Sequence, residues 1–221
     1  MRLRLPLLTA ALMASLAAPG AAQAAAPAPA GVPCVDLVVV SVNCPAPAPT
    51  PAPAPAPAPE PAASCPGRDL LPSRANVATV RRATLCLLNR ERMARGLGKL
   101  KSAAPLHAVA GAYAKRMVRQ RFFEHTSPDG GTFLSRIKRT SYLRGSLKSW
   151  SVGENLAWGV GARATPESIV KGWMNSPLHK RNIVNARFDE LGLGVALGAP
   201  RAGVGSGPAA TYVNEFGMRR R

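Results

Sequence analysis

The chain has 221 residues, with 29 Lys and Arg against 11 Asp and Glu for a formal net charge of +18. That length allows one or two domains, and no apolar run beyond the first two dozen residues is long enough to cross a bilayer, which excludes a bundle of membrane-spanning helices within it. A balance this basic favours polyanionic partners; an arginine-preferring, GC-rich genome plus solubility explains it equally well.

Residues 1–24 read as an export signal. Arg2 and Arg4 start it, Leu5 to Ala18 form the apolar stretch, and Ala22-Gln23-Ala24 is a small-residue cleavage site. A retained anchor is the alternative, but Pro6 and the short run argue against it, since a span needs ~20 apolar residues. Export puts the four cysteines, Cys34, Cys44, Cys65 and Cys86, in an oxidising compartment. Four cysteines permit three pairings. The sequential choice, Cys34–Cys44 and Cys65–Cys86, closes the shortest loops, each worth ~2–4 kcal/mol. A zinc site of four thiolates is the competing idea, and no CxxC pair supports it.

Residues 25–44 form a short cysteine-bracketed segment in which Val35 to Val42 suits a strand or small hairpin, too small to hold its own core. Residues 45–64 are a Pro/Ala-rich linker, with near-strict alternation from Pro45 to Pro61. Proline fixes φ and removes backbone donors, so this run is extended polyproline II and spans roughly 50 Å at ~3.1 Å per residue. A proline-motif ligand for SH3-type domains is the sharper alternative, but such partners are not expected where an exported chain resides.

Residues 65–221 have the patterning of one globular domain. Asn76 caps a helix carrying Val77, Val80, Leu85 and Leu88, ended by Gly96. Ser102 starts a second, with Leu106, Val109, Ala110, Tyr113, Ala114 and Met117 on one face. Thr132 opens a short third around Phe133, Leu134 and Ile137, and Thr165-Pro166-Glu167 opens a fourth bearing Ile169, Val170 and Trp173. Ser176-Pro177 ends that helix, because residues before proline avoid the helical region. Leu191–Leu197 and Ala210–Phe216 alternate as an antiparallel pair joined by the Gly/Pro-rich stretch 198–208, and a further strand runs near Ser151 to Trp158. The predicted class is α+β: a three-layer α-β-α sandwich with a small antiparallel sheet.

Three segments stand outside core periodicity: Phe122 to Gly130 around His125, Gly153-Glu154-Asn155-Leu156-Ala157, and Trp173 to Ile183 around Ser176 and His179. With Asn89 to Leu97, Glu190 to Val195 and Tyr212 to Gly217, they resemble, in order and spacing over roughly residues 70–217, the bacterial SCP-like branch of the CAP superfamily (cysteine-rich secretory, antigen 5 and pathogenesis-related-1 proteins). The resemblance implies the α-β-α sandwich and a ligand cleft lined by His125, Glu154 and His179. In many relatives a second glutamate, three residues after the helix tryptophan, completes a two-His, two-Glu tetrad. Here that place holds Ser176, so three of the four ligands are present.

Two imidazoles and a carboxylate are a common set for zinc, leaving a position for water or substrate; Mg²⁺ and Ca²⁺ prefer all-oxygen shells. Zinc is therefore the one cofactor to consider, held by His125, Glu154 and His179. The structural alternative is that the trio hydrogen-bond to one another and to loop backbone around the cleft. Asn155 suits a local backbone bond, and His107 suits packing. Trp158 and Trp173 read as core or cleft-wall residues. Glu124, Glu167 and Glu215 read as surface charges, each able to replace the missing ligand, and Arg219-Arg220-Arg221 as a solvated tail. Ser127 and Ser176 lie near histidines, but neither sits in a GxSxG elbow and nothing specifies an oxyanion hole.

The leading expectation is a secreted, monomeric, cell-wall-associated module, noncatalytic or conditionally metal-binding, that binds an envelope lipid, glycan or anionic wall polymer and no nucleic acid. The alternatives are a metal-dependent hydrolase acting through His125, Glu154 and His179, and a basic wall-attachment protein with no cleft chemistry.

Overall fold

The computed structural model describes residues 64–204 and 207–221, together with the strand backbone of 34–36 and 39–42. The export signal, the Pro/Ala linker and the Cys34–Cys44 pairing lie outside the described residues. In chain order the elements are β1 (Cys34–Asp36), β2 (Val39–Val42), α1 (Val77–Met93), β3 (Lys101–Ser102), α2 (Ala104–Gln120) and α3 (Phe133–Lys138). They continue with β4 (Ser149–Val160), a 3₁₀ turn (Gly161–Ala164), α4 (Pro166–Met174), α5 (Pro177–Ile183), β5 (Glu190–Leu197) and β6 (Ala209–Arg220).

The strands form one sheet in the order β1-β2-β4-β6-β5-β3. Every neighbouring pair is antiparallel except β3 with β5, so the sheet is mixed. The hairpin expected around Val35–Val42 forms and adds to β4, with Val39 opposite Gly153 and Val42 opposite Trp150.

Helices cover both faces, and strand alternation decides which residue meets which layer. Leu191, Leu193, Val195, Tyr212 and Phe216 face a core with Val80, Leu87 and Leu88 of α1, Ile169 and Trp173 of α4, and Ile183 of α5. Leu156, Val213 and Ala196 point the other way, onto Ala110, Tyr113, Ala114 and Met117 of α2. Between them on that face, Gly192 and Gly194 let α2 lie directly on β5. A Cβ at either would come within 2.1–2.2 Å of the Leu106 or Ala110 backbone. The alternation of leucine with glycine is thus the contact surface of a helix. The α-β-α sandwich expected from the sequence is the fold observed.

Local details differ where tertiary partners intervene. Ser102 belongs to β3, because Lys101 and Ala103 donate to the Asp189 and Leu191 carbonyls; α2 starts two residues later with proline in its first turn. Asn76 occupies the N-cap position of α1, yet its side chain turns back, accepting from the Ser73 amide and donating to the Leu71 carbonyl. Pro177 does end one helix at Met174, and it also begins α5 at its first turn. The arginines read as a tail are largely strand: Arg219 lies over the Tyr142 ring and pairs with Glu190, and Arg220 pairs with Asp189.

Two covalent or buried staples tie α1 down. The expected Cys65–Cys86 disulfide is present. Arg92 is buried and its guanidinium donates to the carbonyls of Gly98, Ile183, Asn185 and Phe188 at 2.7–2.9 Å. Four carbonyl dipoles satisfy this cation without a carboxylate in hydrogen-bond contact.

Candidate functional site: the cleft at the β4 edge

β2 pairs with β4 only as far as Gly153. From Glu154 onward, among the described residues, the outer edge of β4 has no neighbouring strand, and the site is built around that edge. Successive residues of β4 point to opposite faces, so Glu154 and Asn155 open onto different layers.

On the α2 face, Glu154 is fully buried. His125, at the end of the segment after α2, meets its Oε1 at 2.7 Å through Nδ1, while Arg136 of α3 donates to Oε2 at 2.6 Å. Because a carboxylate only accepts, Nδ1 carries the proton, and a neutral His125 ring keeps its lone pair on Nε2. The His125 side chain is 40% exposed, so the dyad runs from the interior to solvent.

Arg136 organises this face. Its guanidinium also donates to the His125 and Gly131 carbonyls and stacks 3.3 Å from the Tyr113 ring centroid. The Tyr113 hydroxyl donates to the Glu124 carbonyl, and burial pushes its pKa up to about 12. Glu215, read from sequence as a surface charge, is fully buried here. It stands opposite Glu154 in the β4–β6 register and therefore points to the same face. Neither of its oxygens has a hydrogen-bond partner of good geometry among the described residues. Burial first, then the charge of Glu154, push its pKa well above the ordinary carboxylate range, against the pull of Arg136. A neutral carboxyl is the form such a position tolerates.

On the opposite face the contacts are amides. Asn182 donates to the Asn155 side-chain oxygen at 2.8 Å and to the Glu154 carbonyl at 3.2 Å. Asn155 donates to the His179 carbonyl at 2.9 Å, which docks α5 on β4. Its bond is long-range rather than the local one expected. The His179 Nδ1 lies 2.8 Å from the Ser176 hydroxyl, three residues earlier at the start of α5. Desolvation lowers the His179 pKa, and the charge of His125 lowers it further.

The edge opens into a cavity of about 390 Å³. Phe123, Leu156, Trp158, Ile169 and Trp173 give it apolar and aromatic walls, and Ser176, His179 and Arg163 supply polar groups. The Trp173 indole N–H is satisfied inside by the Leu156 carbonyl, so its ring serves as wall. Ser127 is held in its own turn, donating to Asp129 and the Gly131 carbonyl, away from any role as nucleophile.

Zinc needs donors converging on one point. Among the described residues no three His, Cys, Asp or Glu side chains are grouped to hold a metal ion. Both Glu154 oxygens are engaged, one by His125 and one by Arg136. The trio in this arrangement does not fit a zinc ion, and the guanidinium of Arg136 supplies the positive charge beside Glu154.

Residues 85–206 match the model of the cysteine-rich secretory protein family, CAP. The chain belongs to the CAP family. It is 32% identical over 120 residues to the uncharacterized protein YkwD of Bacillus subtilis, covering 54% of this chain and 44% of that one. It is 29% identical over 117 residues to the uncharacterized membrane protein YlbC of the same organism, covering 53% of this chain and 32% of that one. The matched segment thus spans less than half of either relative. Similar solved structures include an extracellular SCP-domain protein of Bacillus anthracis (TM-score 0.49, 25% identity, 65% of this chain and 41% of that one). Another is an outer surface protein of Borrelia burgdorferi (TM-score 0.48, 25% identity, 61% and 88%).

Within this CAP domain, sequence reasoning named His125, Glu154, Asn155, Ser176 and His179 but missed Arg136, Tyr113, Asn182 and Arg163. Arg136 carried no local signal, because its six-residue helix holds a second basic residue, Lys138, and nothing in the segment separates the two.

Proposed function

We propose that the protein is an exported binding module of the CAP family whose β4-edge cleft takes a small anionic amphiphile of the cell envelope. The apolar body lies against Phe123, Leu156, Ile169 and the indoles of Trp158 and Trp173. The anionic group meets Arg163, the one cation among the residues lining this cavity. The observation that carries the reading is this lining: mostly apolar and aromatic, with few polar groups, as small-molecule sites are. No bond-making step is assigned, because Glu154 is held between His125 and Arg136 rather than offered to a substrate. The basic start, apolar run and small-residue site of residues 1–24 support export.

Gly172 provides the test. It lines the cavity from α4, and nothing lies within 4 Å of where its Cβ would be. Gly172→Leu adds an aliphatic side chain to the cleft wall at a position where a Cβ meets no neighbour. Dodecanoate should shift the tryptophan fluorescence of the wild type saturably, and the variant should bind about tenfold more weakly, ~1.4 kcal/mol, with unchanged thermal unfolding. Equal binding by the two proteins removes the cleft as the site.

A further inference from the structure

We infer that the opposite edge of the sheet is a second site, a groove between α1 and α2 that takes a linear polyol-phosphate chain. β3 covers β5 only at Glu190 and Leu191. Beyond them two cavities follow one another along β5. The first, about 230 Å³, is lined by Arg81, Arg82, Leu85, His107, Leu191 and Leu193. The second, about 370 Å³, is lined by Arg74, Val77, Lys115, Arg119, Val195 and Leu197. Leu191, Leu193, Val195 and Leu197 are alternate residues of one strand, so the two hollows share a continuous aliphatic floor. On α2, His107 to Arg119 spans roughly 18 Å at 1.5 Å per residue.

The rims carry the charge. Arg74, Arg81 and Arg82 lie on the α1 side, Lys115 and Arg119 on the α2 side, and no carboxylate lines either cavity. None of these five has an ion pair among the described residues, whereas their neighbour Arg116 pairs with Asp129. His107 acts as a neutral post: its Nε2 accepts from Arg81 at 3.0 Å. The post holds a guanidinium over the floor without neutralising it.

This pattern selects the occupant. Cations beside both hollows on the α1 rim, joined by Lys115 and Arg119 on the α2 rim of the second, match a ligand with repeated charges, where a single-headed lipid would need them at one end. Guanidinium groups pair with phosphate oxygens in a forked geometry. The floor has no Phe, Tyr or Trp on which nucleic acid bases stack. Short polyol carbons between phosphates suit its leucines and valines. The groove is independent of the β4 cleft.

Gly111 lies one turn from both His107 and Lys115 on the same helical row, and its missing Cβ would meet nothing within 4 Å. Gly111→Glu places a negative charge at the groove wall, and replacing a helical glycine favours the helix. The experiment titrates a synthetic glycerol-phosphate oligomer into the full chain by calorimetry. Lys171→Gln, which removes one positive charge on exposed α4, is the matched control. Gly111→Glu should weaken binding about tenfold and Lys171→Gln by less than about twofold, with Gly172→Leu binding as the wild type does. Equal losses in the two charge variants would show net charge alone and overturn the groove. Tighter binding of a single-stranded oligonucleotide than of the polyol phosphate would overturn the occupant.

Discussion

The two edges of this sheet are built alike and furnished differently. At each, a short outer strand stops early, β2 at Gly153 and β3 at Leu191, and helices flank the strand left open. The β4 edge has aromatic walls, two imidazoles and an ion pair sunk behind it. The β5 edge has aliphatic walls and cations held outward. A buried charge must be paired where it lies, so the β4 edge is rigid and its ionic groups bear on stability. The cations of the β5 edge stay hydrated, so removing one costs the fold little and shows mainly in binding.

Mutations can break that contrast. The largest effect belongs to Arg136→Met, which leaves the buried Glu154 carboxylate without its cation. Unfolding in urea should register a loss of about 3–5 kcal/mol, and adding Glu154→Gln should recover part of it. A loss below about 1 kcal/mol would mean that this arginine behaves like a surface cation and the contrast fails.

Glu215→Gln tests the electrostatics behind the cleft. The raised pKa means the folded chain keeps a proton that the unfolded chain releases once pH passes the ordinary glutamate range. Stability contributed by this group is therefore full below that range and declines as pH rises toward the folded value. The wild type should lose stability relative to Glu215→Gln between pH 5 and pH 8. Parallel pH profiles for the two proteins would show that Glu215 ionises normally.

Arg81→Ala on the other edge should cost the least, under about 1 kcal/mol, since its partner is a neutral imidazole. A larger loss in thermal unfolding would make the Arg81–His107 contact part of the core and erase the difference between the edges.

Most of the fold was legible in local pattern. Helical spacing in Leu106 to Met117, the Thr165-Pro166 start of α4 and the alternation of Leu191 to Leu197 each satisfy a rule spanning a few residues, and each element formed where that rule placed it. His125, Glu154 and His179, singled out by their motifs, lie around one strand edge, where His125 meets Glu154 and Asn155 holds the His179 carbonyl. What stayed hidden depended on neighbours distant in the chain. Glu215 looks exposable until β4 sets Glu154 beside it, and Arg136 looks like a surface residue until Tyr113 and Glu154 enclose it. Neither open edge can be read from β4 or β5 themselves, because each exists only where a different strand ends. Local periodicity is decided by backbone geometry within one segment. The fate of a charge is decided by the solvent left around it, and only the packed layers settle that.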